Sequence, residues 1–399
     1  MRNLFLFFLL LGTGISKAQT IQGKVIDETT GEAIAFVSIG VVGSNNTTVS
    51  NDAGEFVLKN VNLNALNTPA KLRFSHVGYL VFEQEISEAS NNLIVMLKPA
   101  AINLKPVVVD PYRGQKLLKA ALEKASGFAK QNFYGSAFYR QLTTINSQPS
   151  QIYELFYDLE FNVSKVKGWA AKQTRFAERN DGVVFSMSNQ SYLTFSLAGY
   201  LFEDKKTGKF ITLKNLKDFS ISIDKYIEQK DQDIAIISCK FKGNKKQFYI
   251  NSIYYVGVED FKIYRVENSI FNLPIKISGS TAKMPPAATT IATFNGANTP
   301  IPVVESVSTK LYLNLNTNGR PLNPVINSML TVYHLDKKLN TQKFTELSKK
   351  VEDKAIVESI AYNPDFWKDN PIVKQTALEE AFVKMMESKS AFGTMINPE

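Results

Sequence analysis

The chain has 399 residues, 44% hydrophobic and 21% charged, with a formal charge of +9. This ordinary globular composition excludes a disordered chain and a polytopic membrane protein and predicts two domains plus extras. Two histidines and a single cysteine, Cys239, exclude an intrachain disulfide and a zinc site built on His and Cys ligands, and no cofactor is implied. The 27 Phe, 16 Tyr and 2 Trp lean the chain toward strands.

Residues 1–18 read as a signal peptide. Arg2 supplies positive charge, Leu4 to Leu11 an apolar run, and Ser16-Lys17-Ala18 small residues where a signal peptidase reads, so cleavage is expected after Ala18. The run is too short to span a bilayer, and no later window is apolar enough to do so. Losing Arg2 and Lys17 lowers the formal charge from +9 to +7. The expected location is the periplasm or the outer-membrane periphery. Cys239, inside the strand-like run Ile234–Cys239, is expected to be buried.

Residues 19–98 read as short strands separated by turns. Ile21–Ile26 alternates and runs into the turn cluster Asp27–Gly31. Ala33–Val42 is a mostly apolar strand run. Val49–Gly54 is a turn before Glu55–Leu58, and Leu72–Phe74, Tyr79–Ile86 and Leu93–Leu97 supply further strands. This spacing predicts an all-β sandwich. The segments GKVIDETTGEAIAFVSI, NDAGEFVL and LRFSHVGYLVFEQEI resemble the carboxypeptidase regulatory-like domain, with Gly23, Asp27, Gly31, Asp52, Gly54, Phe56, Gly78 and Tyr79 falling where its pattern wants them. The resemblance implies a seven-stranded, transthyretin-like sandwich, found at the start of many exported Bacteroidota proteins, and a non-catalytic module. Asp27, Glu28, Asp52 and Glu55 are either a calcium cluster or, preferred for want of a DxDxDG loop, turn residues bonded to their own backbone.

Residues 99–112, punctuated by Pro106 and Pro111, read as linker, with Val107–Val109 either linker or an added edge strand. Arg113 to Gln131 reads as an amphipathic helix, with Leu117, Ala121, Ala125 and Phe128 at helical spacing, backed by Leu118, Leu122 and Ala129. From about Asn132 to Lys338 the period becomes two. Tyr153, Leu155, Tyr157, Leu159 and Phe161 alternate with Glu154, Asp158 and Glu160, which are expected on a solvated outer face. Turn signals at Asn180–Gly182, Lys206–Gly208, Gly243-Asn244, Val258–Asp260 and Thr317–Arg320 divide a large antiparallel meander. The preceding helix is the expected cover for its apolar face. The fold class is therefore mainly β: an N-terminal seven-stranded sandwich, then a large antiparallel curved sheet, or half-barrel, packed on a helix over residues 113–362, then a C-terminal helical tail.

QFYINSIYYVGVEDFKIYRVENSI and YLNLNTNGRPLNPVINSMLTVYHL resemble hairpins of lipoprotein-carrier-like half-barrels. That resemblance implies a sheet rolled around a helix with an apolar cavity, which Leu117, Leu118, Leu122 and Phe128 would line. It brings no catalytic residues. This chain departs from the simple carrier in its sandwich, its tail and insert-like stretches such as Met284–Ala288. In the tail, residues 363–399, Asn363-Pro364 reads as a helix start and Thr376–Glu379 as a capping box, with Leu378, Phe382, Met385 and Met386 on one face. NPDFWKDNPIV, ALEEAFV and FG resemble the end of many Bacteroidota envelope proteins. Phe366 and Trp367 are expected to pin the tail to the sheet rather than bind a ligand.

No GxSxG, HExxH, GxGxxG or Walker motif occurs, and His76 and His334 are read as surface or hydrogen-bonded residues rather than bases. Asp158 and Glu160, at i and i+2, are the carboxylate pair weighed for a glycosidase and set aside. Lys205, Lys206, Lys209, Lys214 and Lys217, with Lys240, Lys242, Lys245 and Lys246, are read as solvated hairpin tips ahead of an anionic-lipid contact. The reading is a non-enzymatic exported envelope protein with a binding or scaffold role. The alternatives are a periplasmic carrier of an acyl lipid or lipoprotein and, behind it, a carboxylate-dependent hydrolase. The partner is an envelope protein or an apolar ligand; nucleic acid is excluded and peripheral membrane contact stays open.

Overall fold

The computed structural model describes residues 19–392 except 45, 62–68, 104–111, 164–165, 180–193, 195–209, 274–280, 284–286, 296–302, 318, 337–343, 347–351, 353–354, 357–358 and 371. Residues 1–18, expected to be a signal peptide, and Pro106–Pro111, Asn180–Gly182, Lys205–Lys209 and Met284–Pro286 lie outside the described residues.

Seven strands in two sheets form the N-terminal sandwich. One sheet has the order β4-β1-β7, from β1 (Gln19–Asp27), β4 (Glu55–Val61) and β7 (Ser90–Leu97). The other has the order β3-β2-β5-β6, from β2 (Ser38–Val41), β3 (Thr47–Val49), β5 (Ala70–Ser75) and β6 (Phe82–Ile86). Ile21, Val25, Phe56, Leu72, Phe74 and Leu97 fill the space between them, and Phe56 meets Phe74 edge-on at 5.8 Å. The expected long strand over Ala33–Val42 shrinks to four residues. Phe36 takes φ 60°, and the Ser50 hydroxyl accepts from Val37 N and donates to Ile34 O, so bonds to one side chain replace ladder pairing there. Gly54 has φ 74°, and a Cβ there would sit 2.5 Å from Val25 O; only glycine fits this turn.

After β8 (Ile102–Asn103) comes α1 (Arg113–Gly127). Helix α1 ends four residues short of the expected Gln131. Phe128 N and Ala129 N bond back to Ala125 O and Ser126 O in a tightened last turn, and both side chains still pack on the core. The large sheet comprises β9 (Phe133–Ile145), β10 (Gln148–Phe161), β11 (Val166–Glu178), β12 (Phe219–Glu228), β13 (Asp233–Phe241), β14 (Tyr249–Gly257) and β15 (Ile263–Phe271). A small three-stranded sheet is set apart, made of β16 (Thr281–Lys283), β19 (Asn314–Thr317) and β20 (Arg320–Leu322). The remaining members of the large sheet are β17 (Ala288–Asn295), β18 (Val303–Tyr312), β21 (Pro324–Asp336) and the two-residue edge β22 (Thr345–Glu346). The order is β22-β11-β10-β9-β21-β18-β17-β15-β14-β13-β12-β8, antiparallel at every pairing. Register shifts at Phe156/Tyr157, Ile223/Lys225, Thr293/Phe294 and Val332/His334 bend the strands.

One face of this curved sheet wraps α1. Leu118 and Leu122 are wholly buried among Tyr153, Tyr157, Trp169, Tyr254 and their neighbours. Burying two such side chains contributes roughly 1.5–3 kcal/mol each. At Gly114 a Cβ would lie 3.2 Å from Ile223 N, so the helix start approaches β12 closely. The opposite face is covered by the sandwich and by two tail helices, α2 (Pro364–Asp369) and α3 (Ala377–Ser388). Strands β9 and β10 are consequently buried on both faces along nearly their whole length. Cys239 is fully buried, and burial pushes its thiol pKa up. Among the described residues no helix is long and apolar enough to cross a membrane.

Candidate functional site

Charged side chains concentrate where the tail crosses the outer face of β9, β10 and β11. The ladder register sets Arg140, Glu154 and Arg175 side by side on three adjacent strands. Arg140 Nε donates to Glu154 Oε1 at 2.6 Å, and the Arg175 guanidinium closes on the other carboxylate oxygen. Glu154 is 1% exposed. Burial opposes its ionisation, but the charges of Arg175 and then Arg140 outweigh burial and hold its carboxyl below the ordinary range. Burial likewise works against the charge on Arg140, and Glu154 and Glu379 more than offset it.

The tail supplies the remaining partners. Arg140 reaches Val373 O at 3.1 Å, Lys374 O at 3.4 Å and Glu379 Oε2 at 3.4 Å. Glu379 is also the third residue of α3, where its carboxylate accepts from Thr376 N at 2.8 Å while Thr376 Oγ1 accepts from Glu379 N. One carboxylate thus caps a helix and neutralises a strand arginine. Arg175 lies 4.6 Å over the Trp367 ring and 5.1 Å over Phe392, and reaches Glu387 at 3.4 Å. Beside it, Phe156 is the hub of an aromatic cluster with Phe138 and Phe366 at 5.0 Å and Trp367 at 5.3 Å. Phe366 and Trp367 therefore pin the tail to the sheet, and Asn363 caps α2 by accepting from Phe366 N. Of the residues expected on the apolar face of α3, Phe382 and Met386 are buried and Met385 packs against them, whereas Leu378 is 46% exposed and Val383 is buried in its place.

The sandwich completes the cover. Thr48 Oγ1 donates to Ile372 O at 2.6 Å, Asn51 Nδ2 to Lys374 O at 3.1 Å, and Ser38 Oγ to Glu305. Asp52 pairs with Lys310, and Glu55 with Lys374, each at 3.4 Å. Glu305 has little besides Ser38 to hold its charge, and burial raises its pKa. A cleft of about 50 Å3 remains where sandwich, sheet and tail meet, lined by Asn51, Asp52, Arg140, Lys310, Thr376 and Glu379. This is room for a water or two, far below the few hundred Å3 of a small-molecule pocket. A second seam holds His76. Gly78 N faces its Nδ1 and Arg265 Nη1 its Nε2, both at 3.2 Å, so a second ring proton would meet donors on both sides. Burial, then the Arg265 charge, push its pKa down to about 3.

The outer-face carboxylates are not solvated, as the alternation suggested. Glu154 and Asp158 are 1% and 3% exposed, Glu154 because the tail lies over the arginines that flank it and Asp158 because Ser136, Lys172 and Tyr333 close around it. Asp158 is held by Ser136 at 2.8 Å and Lys172 at 2.6 Å, and Glu160 by Asn132 at 2.7 Å and Lys167 at 3.3 Å. Each carboxylate has its own cation, and the pair shares no site. The weighed calcium residues also disperse: Asp27 accepts from Thr29 N, Thr30 N and the Tyr79 hydroxyl, whereas Asp52 and Glu55 face the sheet and tail. No group of three or more His, Cys, Asp or Glu is gathered for a metal among the described residues. The proposed apolar-ligand residues do come together: Leu117, Leu118 and Leu122 are buried in the core between α1 and the sheet, with Phe128 half-buried at its margin.

Residues 21–109 match the CarboxypepD_reg-like domain, which places that domain at the sandwich and covers well under half of the chain. Among curated proteins nothing matches. Among solved structures, a DUF1329 family protein from Desulfovibrio piger is 10% identical over 58% of this chain and 96% of that one, with a TM-score of 0.23. A LolA superfamily protein from Nitrosomonas europaea is 10% identical over 56% of this chain and 97% of that one, with a TM-score of 0.20. A chain of a type II cohesin–X-dockerin complex from Acetivibrio cellulolyticus is 17% identical over 21% of this chain and 58% of that chain, less than two thirds of its length, with a TM-score of 0.18. TM-scores this low carry no weight for function.

Proposed function

We propose that the protein is an exported, non-enzymatic protein of the cell envelope with a binding or scaffold role. The observation that carries this reading is the closed outer face: sheet and tail are locked through Arg140, Glu154, Arg175 and Glu379, the sandwich bonds to the tail through Thr48 and Asn51, and the carboxylate pair weighed for catalysis, Asp158 and Glu160, is split between two lysines. A general acid needs a proton to give at neutral pH, and a carboxyl held below the ordinary range by two guanidiniums has none. The CarboxypepD_reg-like match at 21–109, a non-catalytic domain type, points the same way.

A second reading, a carrier of an acyl lipid or lipoprotein, has its own support. Leu117, Leu118, Leu122 and Phe128 gather on the side of the sheet that wraps α1, where half-buried Ile221 and Ile223 extend the apolar margin. Native mass spectrometry with lipid extraction, on protein purified from its own envelope, separates the two. The scaffold reading expects the bare polypeptide mass or a protein partner. Co-purified acyl species, lost from a Leu118→Trp/Leu122→Trp variant that still folds, would refute it in favour of the carrier.

A further inference from the structure

Strands β12 to β15 carry opposite charge at their two ends. At one end, the turn leading into β12 and the β13–β14 hairpin expose Lys214, Lys217, Lys240, Lys242, Lys245 and Lys246, and the only acid among residues 210–218, 240–249 and 271–273 is Asp218. At the other end the β12–β13 and β14–β15 turns carry Glu228, Asp231, Asp233, Glu259 and Asp260 against Lys230 and Lys262. Six lysines against one acid face five acids against two lysines along one strand direction. This is a charge dipole fixed in a rigid sheet.

The basic end is also built. Lys242 N donates to Asp218 O at 2.9 Å, joining the two lysine-bearing turns. Asn272 Nδ2, at the end of β15, donates to Lys245 O at 2.8 Å and Gln247 O at 2.9 Å and fastens the hairpin tip. Beneath lies a row of rings, Phe219, Phe241, Tyr249 and Phe271, at centroid spacings of 5.6, 5.9 and 4.6 Å. A Cβ at Gly243 would fall 2.4 Å from the Phe241 ring, so the tip rests on that ring. The aromatic faces are spent on one another. A single-stranded nucleic acid needs a basic groove with free aromatic faces for stacking. What this end offers outward is ammonium groups on protruding turns, which suits an extended anionic surface.

We infer that the lysine-bearing end of β12–β15 docks the protein on the anionic headgroup surface of a lipid bilayer, with the acidic end turned away. Attraction of this kind works within a Debye length and amounts to a factor of about five per lysine near the surface. The reading holds for a scaffold and a carrier alike, because it uses neither the closed outer face nor the helix-lined core.

The test is co-sedimentation of the full chain with vesicles of phosphatidylglycerol and phosphatidylcholine against vesicles of phosphatidylcholine alone. Binding is expected only to the anionic vesicles, weakening as ionic strength rises from about 0.01 to 0.15 M and the Debye length falls from about 30 to 8 Å. Lys242→Gln/Lys245→Gln/Lys246→Gln, with an unchanged melting temperature, is expected to bind about 100-fold more weakly. Lys71→Gln/Lys119→Gln/Lys384→Gln, at exposed lysines elsewhere, is expected to bind as the parent does. Failure to pellet with anionic vesicles overturns the inference, as does equal loss in both triple variants. Retention on a soluble polyanion such as heparin without vesicle binding overturns it in favour of a polysaccharide or other polyanion.

Discussion

Replacing Glu154 by Gln removes the one negative charge shared by Arg140 and Arg175 while keeping size and shape. The two arginines are 6% and 5% exposed, so neither can turn to water without displacing the tail. Arg140 keeps Glu379 and two carbonyls; Arg175 keeps the more exposed Glu387, the Tyr362 hydroxyl and its aromatic platforms. Removing one partner of a buried ion pair costs about 3–5 kcal/mol, most of it from the charge left behind. Hydrogen exchange resolved by segment is the assay: α2, α3 and residues 372–374 should exchange faster by the full cost, and the α1 core should be nearly unaffected. The pH dependence gives a second readout. Glu154 titrates below its ordinary 4.5 when folded, so its contribution is present above about pH 4.5 and lost as pH falls through the lower folded value. The Gln variant should lack that acid step. A loss under about 1 kcal/mol, or an acid step that survives in the variant, would refute the view that this network fastens the tail.

Trp367→Ala opens space beside Phe156 and uncovers Arg175, and should cost about 3–5 kcal/mol, read as faster limited proteolysis of the tail. Gly54→Ala combines φ 74° with a contact at 2.5 Å and should lower sandwich stability by about 1–3 kcal/mol in thermal unfolding. His76 has a folded pKa of about 3 against an ordinary 6.5, so the unfolded chain binds the extra proton in that window and stability should rise with pH across it. His76→Gln should flatten this slope in urea melts between those limits. Cys239 should react with a thiol reagent only at the rate of unfolding, because it is fully buried and its thiolate is disfavoured.

Local chemistry was readable from the sequence. Asn363-Pro364 and Thr376–Glu379 mark helix starts because a cap is satisfied within three residues, and both caps form. Alternation along Tyr153–Phe161 sorts the strand into two faces, and the structure keeps that sorting. Periodicity says which residues share a face, not what lies over it. Glu154 reads as a solvated acid until Arg140 and Glu379, 239 positions apart in the chain, are brought onto one surface. Phe156, an aromatic between two acids on that face, was the available hint that the face is covered. Ala33–Val42 failed for the opposite reason: its apolar run obeys strand propensity, but the Ser50 hydroxyl bonds its backbone across thirteen and sixteen residues and turns it at Phe36.

The bonds from Thr48 to Ile372 and from Asn51 to Lys374 join segments 324 and 323 residues apart. The sandwich is thus latched by a segment made more than three hundred residues after it. The outer surface of β9 and β10 stays uncovered until the tail has emerged, and the loop to be closed runs to more than three hundred residues. Long-range contacts of this kind slow folding in general, and any state in which they are unmade leaves an apolar and charged sheet face unshielded, which favours aggregation. Truncation before Asn363 should accordingly yield a chain that keeps its secondary structure but self-associates, a defect of assembly order rather than of any single contact.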